Sequence, residues 1–156
     1  MRIIGIDPGT GILGFGVIDA NRGKFNLVDA GVIRTSSKED DATRLVTIYD
    51  ELKSVIDEVK ADEMAVEKLF FAQNVTTAMT VSQARGVILL IGVKAGLKVY
   101  EYTPLQIKQS LTGYGRAEKK QIQEMVKVIL KLDSVPKPDD CADALAAAIT
   151  HGMTLR

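Results

Sequence analysis

Apolar residues follow two different spacings along this chain, and the change of spacing divides it into predicted strands and helices. Residues 2–7, 12–20 and 25–35 are short, mostly apolar runs separated by turns rich in Gly and Asn. Such runs are typical of an antiparallel three-stranded meander. A helical spacing of apolar residues then begins at Leu45 and continues to Val59. The chain is therefore predicted to begin as a β-meander followed by a helix.

Strands and helices are predicted to alternate after the meander. Residues 63–67 and 97–102 are predicted as strands, with a helix over 74–95 between them. Part of that helix, 86–93, is apolar on nearly every side, which is typical of a helix buried on every side. We expect one face to lie on the sheet and the other to meet a second subunit. A strand remains an alternative for 87–91, because local pattern alone does not separate the two.

The rest of the chain is predicted to be helical. Thr103 and Pro104 are residues typical of a helix start, a Lys-rich amphipathic helix covers 117–132, and an Ala-rich helix covers 139–151. The order βββαβαβα, with further helix near the end, predicts an α/β fold with a five-stranded mixed sheet flanked by helices. The length fits a single domain over 1–156.

Charge and composition add three constraints. The net charge is zero, yet residues 1–80 carry 9 Lys/Arg and 13 Asp/Glu, whereas 85–131 carry 9 basic and 3 acidic residues. An acidic centre beside a basic surface suits a metal-dependent enzyme acting on a polyanion, although solvated helix faces are the simpler explanation.

Cys141 and His151 are each the sole residue of their type, which excludes an internal disulfide and a Cys/His zinc site. We expect Cys141 to be buried in a helix and His151 to be structural or exposed. The longest apolar run, 87–93, is too short to span a bilayer, so we expect a soluble, cytoplasmic protein.

Three segments far apart in the sequence each offer a carboxylate. Asp7 ends the first strand, Glu67 ends the fourth, and Asp140 and Asp143 share one face of the last helix. A carboxylate at the end of a buried strand is costly unless a cation or hydrogen-bond donors compensate it. Carboxylate oxygens without Cys or His favour Mg²⁺ or Mn²⁺. The sequence therefore predicts one divalent-metal site.

Each of these acids also has an ordinary structural explanation. Asp7 precedes residues 8–11, a Pro-Gly-Thr-Gly sequence that suits a hairpin turn or a phosphate loop of the kind found in sugar kinases and actin-like ATPases. Glu67 could be a surface acid at a strand end, and Asp139 or Asp140 could cap the last helix. These explanations stay open on the residues alone.

Several short motifs occur in a specific order along the chain. They are 4–9, 14–16, 65–67 followed by Phe70, Ala72 and Asn74, 83–86, Tyr102 with 106–109, 113–119, and 140–146 with 149–151. In this combination the chain resembles the bacterial RuvC Holliday-junction resolvases over nearly its whole length. The resemblance implies a ribonuclease-H-like fold and a homodimeric, metal-dependent endonuclease. It implies paired symmetric nicks in four-way DNA junctions during recombination and repair, leaving 5′-phosphate ends.

The resemblance also assigns cofactors, partners and residue roles. It implies two Mg²⁺ ions per active site, with Mn²⁺ as a substitute, and cooperation with the RuvA–RuvB branch-migration complex. The implied metal ligands are Asp7, Glu67, Asp140 and Asp143. The implied catalytic residues are these four acids and Lys119. The implied DNA-binding residues are Phe70, Lys108, Arg116, Lys119 and Lys120. Asp139 is then the expected N-cap of the last helix.

Three other functions are weighed against this one. An actin-like or sugar-kinase ATPase would share the loop after Asp7, but it would normally need a second, similar domain and a second phosphate loop. A junction-binding module without resolvase activity would keep the basic surface and could lose the acids, all four of which are present. Another ribonuclease-H-like nuclease with a different DNA substrate is the nearest alternative.

Overall fold

A five-stranded mixed sheet with helices on both faces forms the centre of the protein, in a computed structural model that describes residues 1–69 and 75–155. The strands are β1 (Arg2–Asp7), β2 (Ile12–Asn21), β3 (Lys24–Arg34), β4 (Glu63–Glu67) and β5 (Lys98–Tyr102). The helices are α1 (Asp41–Val59), α2 (Val75–Lys94), α3 (Pro104–Thr112), α4 (Lys119–Ile129) and α5 (Asp139–Thr154). The predicted fold class and element order are confirmed, and most element ends lie within a few residues of their predicted positions.

The strand order brings two carboxyl ends together at one edge of the sheet. The order is β3-β2-β1-β4-β5, with β1, β2 and β3 antiparallel and with β4 and β5 parallel to β1. Ile6 of β1 pairs with Val66 of β4. Because the two strands are parallel and adjacent, their next residues, Asp7 and Glu67, emerge side by side.

Side chains of β4 alternate between two apolar cores. Met64 and Val66 pack with α1 and α2 on one face of the sheet, whereas Ala65 packs with α5 on the other. This is the alternation of a strand covered on both faces. Glu67 follows the same alternation, so its side chain belongs to the α5 face.

Helix α5 approaches β1 and β2 more closely than any side chain would permit. A Cβ on Gly14 would lie 2.1 Å from the carbonyl oxygen of Asp140, and a Cβ on Gly5 would lie 2.0 Å from that of Ala144. Glycine at both positions lets the helix backbone rest on the sheet. This packing holds the acidic N-terminal end of α5 over the end of β1.

Helix α2 is buried on one side only. The segment 87–91 is helical, so the strand alternative is wrong. Ile88 and Ile91 are buried against the core, but Leu90 is 54% and Val93 65% exposed. Within one chain, α2 is therefore not buried on every side. One face lies on the core, as expected, and the other is an exposed apolar surface.

Candidate active site

Asp7 and Glu67 form the centre of the candidate site. Each is half-buried at the carboxyl end of its strand, and the two strands are adjacent and parallel, so the two carboxyl groups are neighbours. Two partly desolvated carboxyl groups side by side disfavour the ionised form of each other.

The N-terminal end of α5 adds a third and a fourth acid. Asp143 and Glu67 both line a cleft of about 270 Å³. The other lining residues are Pro104, Ile107, Lys108, Lys119, Ile122 and Ala146. Asp140 is half-buried one helical turn earlier, and its charge contributes to the raised pKa of Asp7. The structure thus brings together the acids that the sequence predicted from three segments.

Burial and mutual repulsion raise the pKa values of these acids. Burial, followed by the charges of Glu67, Asp143 and Asp140, raises the pKa of Asp7 to about 9. Burial and the charge of Asp143 raise the pKa of Glu67 to about 7, against the opposing effects of the Asp7 hydrogen bond and Lys119. Burial also raises the pKa of Asp143. Closely spaced, partly desolvated carboxylates of this kind fit a divalent cation with oxygen ligands.

Two lysines supply positive charge to the same cleft. Lys119 begins α4, and its Nζ lies 3.2 Å from Asp143 Oδ2 and 3.5 Å from Asp139 Oδ2. Partial burial lowers the pKa of Lys119, but the two carboxylates outweigh it and the net shift is upward. Lys108 reaches the cleft from α3, which begins with a capping box between Thr103 and Gln106.

Asp139 does not cap α5, and that expectation is wrong. The N-cap position is taken by Pro138, with extended backbone and no side-chain cap. Asp139 is instead the first helical residue, and its exposed carboxylate faces Lys119. An acid in the first turn is still favourable because it interacts with the positive end of the helix dipole.

The remaining predicted DNA-binding residues are spread more widely. Arg116 is exposed in the connection between α3 and α4. Lys120 lines a separate, open groove of about 460 Å³ with Leu111 and Glu124, outside the acidic cleft. Phe70 lies outside the described residues.

The acidic side chains of the cleft do not form a complete set of metal ligands in their present rotamers. Within residues 1–69 and 75–155, no three Asp, Glu, His or Cys side chains form a ready metal-binding group. Lys119 instead pairs with Asp143. Small side-chain rotations would have to exchange this contact for a cation.

A second group of ionisable side chains, hidden from sequence reasoning, lies at the far end of α5. His151 is 1% exposed, so it is structural and buried. Its Nε2 is 2.6 Å from Glu63 Oε2, its Nδ1 is 2.7 Å from Tyr102 Oη, and its ring stacks on Tyr100. The partners are 88 and 49 residues away in sequence, and no local pattern connects them. Cys141 is buried in the helix, as predicted.

The strand order and the acids at one sheet edge define the class of ribonuclease-H-like nucleases. The family described as crossover junction endodeoxyribonuclease RuvC matches residues 3–151. A crossover junction endodeoxyribonuclease RuvC from Brevibacillus brevis is 57% identical over 153 residues, covering 98% of this chain and 92% of the relative. The chain belongs to the RuvC family of crossover junction endodeoxyribonucleases.

Solved structures agree with this assignment. Thermus thermophilus RuvC in complex with a Holliday junction substrate superposes with a TM-score of 0.94 at 38% identity, covering all of this chain and 95% of that one. The yeast mitochondrial Holliday junction resolvase Ydc2 has a TM-score of 0.70 at 14% identity, covering 96% of this chain and 77% of the other, which shows the shared fold alone. The protein is therefore a metal-dependent, junction-resolving endonuclease of DNA recombination.

Proposed function

We propose that this endonuclease resolves four-way DNA junctions through two Mg²⁺ ions held by Asp7, Glu67, Asp140 and Asp143. The observation that carries the proposal is the meeting of half-buried carboxylates from three segments at one sheet edge, with the pKa values of Asp7, Glu67 and Asp143 raised. Mn²⁺ should substitute, because it accepts the same oxygen ligands. Bound there, the ions would activate water for attack on phosphorus and stabilise the departing 3′ oxygen.

Lys119 and Lys108 complete the proposed catalytic cleft. A phosphodiester that enters it meets carboxylates of Glu67 and Asp143 and the side chains of both lysines. Lys119 lies 3.2 Å from Asp143, so its charge is already in the cleft and can turn to the phosphate when a cation takes over the Asp143 carboxylate. We assign it the stabilisation of negative charge that builds on the phosphate oxygens. The products carry 5′-phosphate and 3′-hydroxyl ends.

The wider basic surface would hold the arms of the junction. Arg116 and Lys120 are both exposed, and both are close to Lys119 in sequence. They would contact backbone phosphates farther from the cleavage site. Such contacts make binding strongly dependent on salt. Phe70 is proposed to stack on an unpaired base at the branch point, since an aromatic ring accepts any base.

The exposed apolar side of α2 supports a homodimer. Val75 and Met79 are 77% and 61% exposed, and Leu90 and Val93 continue the same surface. By length and composition α2 could also cross a membrane, but its opposite side is buried in the core. A second copy of the chain is the occupant that fits a nuclease acting on a nearly twofold substrate, because it supplies two cleavage sites.

Substitution of Val93 tests the dimer. Val93→Glu should shift the molar mass in light scattering from two chains to one, and it should replace paired nicks by single ones. Lys94→Glu, on the adjacent exposed position, is the matched control and should leave the dimer intact. A monomeric wild-type protein that still makes paired nicks would contradict the dimer.

Three further proposals rest on the family resemblance. We propose that 1–156 forms one ribonuclease-H-like nuclease domain, that the protein works in the cytoplasm, and that it cooperates with the RuvA–RuvB branch-migration complex. Stimulation of junction cleavage by added RuvA–RuvB, absent on linear duplex, would support the last of these.

Cleavage of a labelled mobile four-way junction beside matched linear duplex tests the function as a whole. We expect paired, symmetric nicks in the junction alone, dependent on Mg²⁺ and abolished by EDTA, whose ends a ligase can seal. Equal cutting of both DNAs would indicate a nuclease with less structural selectivity. Tight junction binding without any cutting would contradict the proposed chemistry.

A further inference from the structure

The turn that follows Asp7 is tied to β3 by a single threonine. Thr35 donates its backbone N–H to the carbonyl of Gly11 at 3.0 Å, and its Oγ1 to the carbonyl of Thr10 at 2.5 Å. Two consecutive carbonyls of the turn are therefore held by one residue. The turn contains glycines at positions 9 and 11, which by themselves restrict the backbone very little.

An arginine from α1 holds this threonine in turn. Arg44 Nε donates to Thr35 Oγ1 at 2.9 Å, and Arg44 Nη2 lies 3.4 Å from the place where a Cβ would stand on Gly11. In the ranges 1–69 and 75–155, no carboxylate forms an ion pair with Arg44. The hydrogen bonds Arg44–Thr35–Thr10 and Thr35–Gly11 are called here the Thr35–Arg44 brace.

The brace acts on the segment that directly follows Asp7. Asp7 emerges beside Glu67 at one edge of the sheet, so a shift of the turn at 8–11 would move the Asp7 carboxyl group away from Glu67. A turn fixed at two carbonyls cannot shift without breaking partly buried hydrogen bonds, which is costly because the freed groups lose their partners.

We propose that Thr35 and Arg44 are positioning residues that keep Asp7 directed at the metal site through the turn at 8–11. The inference rests on the proposed function, in which Asp7 is a metal ligand. It extends the site to two polar residues outside the proposed metal ligands and DNA-binding residues. Their contribution is preorganisation of a ligand, as in other sites where residues behind the ligands tune metal affinity.

Metal binding by the free protein tests the brace without any need for cleavage. Thr35→Val keeps the shape of the side chain and removes the hydroxyl. We expect about tenfold weaker Mn²⁺ binding by electron paramagnetic resonance, the lower end for residues that hold a ligand in place. Thr35→Ser restores the hydroxyl and should restore most of the affinity. Junction binding in EDTA should stay at the wild-type level for both variants.

Arg44 is tested in the same assay. Arg44→Met keeps a long unbranched side chain but removes every donor, including the Nε–H that bonds Thr35, and should weaken Mn²⁺ binding in the same direction as Thr35→Val. The double variant should lose little more than either single one, because both act through one hydrogen-bond chain. Thr150→Val is the matched control: it deletes a buried hydroxyl that donates to the Ala146 carbonyl at 2.8 Å, seven residues from Asp143.

The outcomes separate failure of the brace from failure of the metal site. Asp7→Asn should abolish Mn²⁺ binding; if it binds as the wild type does, both the site and the brace are wrong. If Asp7→Asn abolishes binding while Thr35→Val binds normally, only the brace is wrong. An equal loss of affinity in Thr150→Val, at a similar fall in melting temperature, would also overturn the brace, because general destabilisation would then explain it.

Discussion

Both ends of α5 carry half-buried or buried ionisable side chains, and the two ends differ in how charge is balanced. At the N-terminal end, Asp143 faces Asp7 and Glu67, and burial together with mutual repulsion raises the pKa values of Asp7 and Glu67. At the C-terminal end, His151 is hydrogen-bonded on both ring nitrogens, to Glu63 and Tyr102.

This difference in charge balance distinguishes a functional site from a structural hydrogen-bond network. In the His151 network each polar atom named has a complementary partner, so the cluster stabilises the fold as it stands. The acidic cluster has more like charge than Lys119 can neutralise, so it is complete only with a cation. The same helix thus anchors the fold with one end and supplies chemistry with the other.

Removing the charge of Asp7 should have the largest effect on activity. Asp7→Asn is expected to lower junction cleavage at least about a thousandfold, since several kcal/mol of charge stabilisation depend on the cation. Binding of the junction in EDTA should persist. The metal-free variant should also melt at a higher temperature, because repulsion is relieved. Retained Mg²⁺-dependent cleavage would remove Asp7 from the metal site.

Breaking the balanced cluster should have the largest effect on stability. His151→Leu leaves Glu63 buried without its partner, and we expect the free energy of unfolding to fall by about 3 kcal/mol. Tyr102→Phe removes one hydrogen bond and should cost about 1 kcal/mol. Denaturant titration measures both. Cleavage per folded molecule should be unchanged; a selective loss of turnover in a stable His151→Leu protein would show that the network is catalytic.

Lys119 and its neighbour Lys120 provide a matched pair with a smaller effect. Lys119→Gln should lower the cleavage rate about a hundredfold, as expected for loss of one charge-stabilising group. Lys120→Gln removes the same charge beside a different groove and should cleave at nearly the wild-type rate. Each should reduce the slope of log affinity against log salt by about 1 if it contacts a phosphate. Equal rate losses in both would mean that only net charge matters.

The smallest expected effect of the acidic cluster is on how the free energy of unfolding depends on pH. The pKa of Asp7 is raised from 3.8 to about 9, so between these values the folded metal-free protein holds a proton that the unfolded chain releases. Stability from this group is present below about pH 4 and is lost as pH rises towards 9. The slope is at most about 1.4 kcal/mol per pH unit. Asp7→Asn should flatten it, and an unchanged slope would contradict the shift.

The acidic cluster was predictable in part, because Asp7 and Glu67 each end an apolar run. The bounds of β4 were predicted in full, but the parallel pairing of β1 with β4, which puts the two acids side by side, came from the structure. Asp140 and Asp143 followed from helical spacing. Recognition of short motifs then supplied the family, which the comparisons confirm.

Contacts between distant segments were not predictable. The pairing of His151 with Glu63, and the brace from Arg44 to Thr35, depend on which side chains the fold brings within hydrogen-bond distance. The N-cap of α5 was predicted as Asp139 because Asp is a favoured N-cap residue. The N-cap is instead Pro138, and Asp139 is the first helical residue, facing Lys119. The exposed face of α2 could not be distinguished from a buried one, because apolar residues surround the whole helix.

Anomalous diffraction from crystals soaked in Mn²⁺ would locate the bound metal. We expect manganese peaks within coordination distance of Asp7, Glu67 and Asp143, with the Lys119–Asp143 contact lengthened. Crystals of Asp7→Asn should show no peak at these residues. Manganese bound elsewhere, or unchanged occupancy at the cluster in Asp7→Asn, would contradict the assignment of these acids as the metal site.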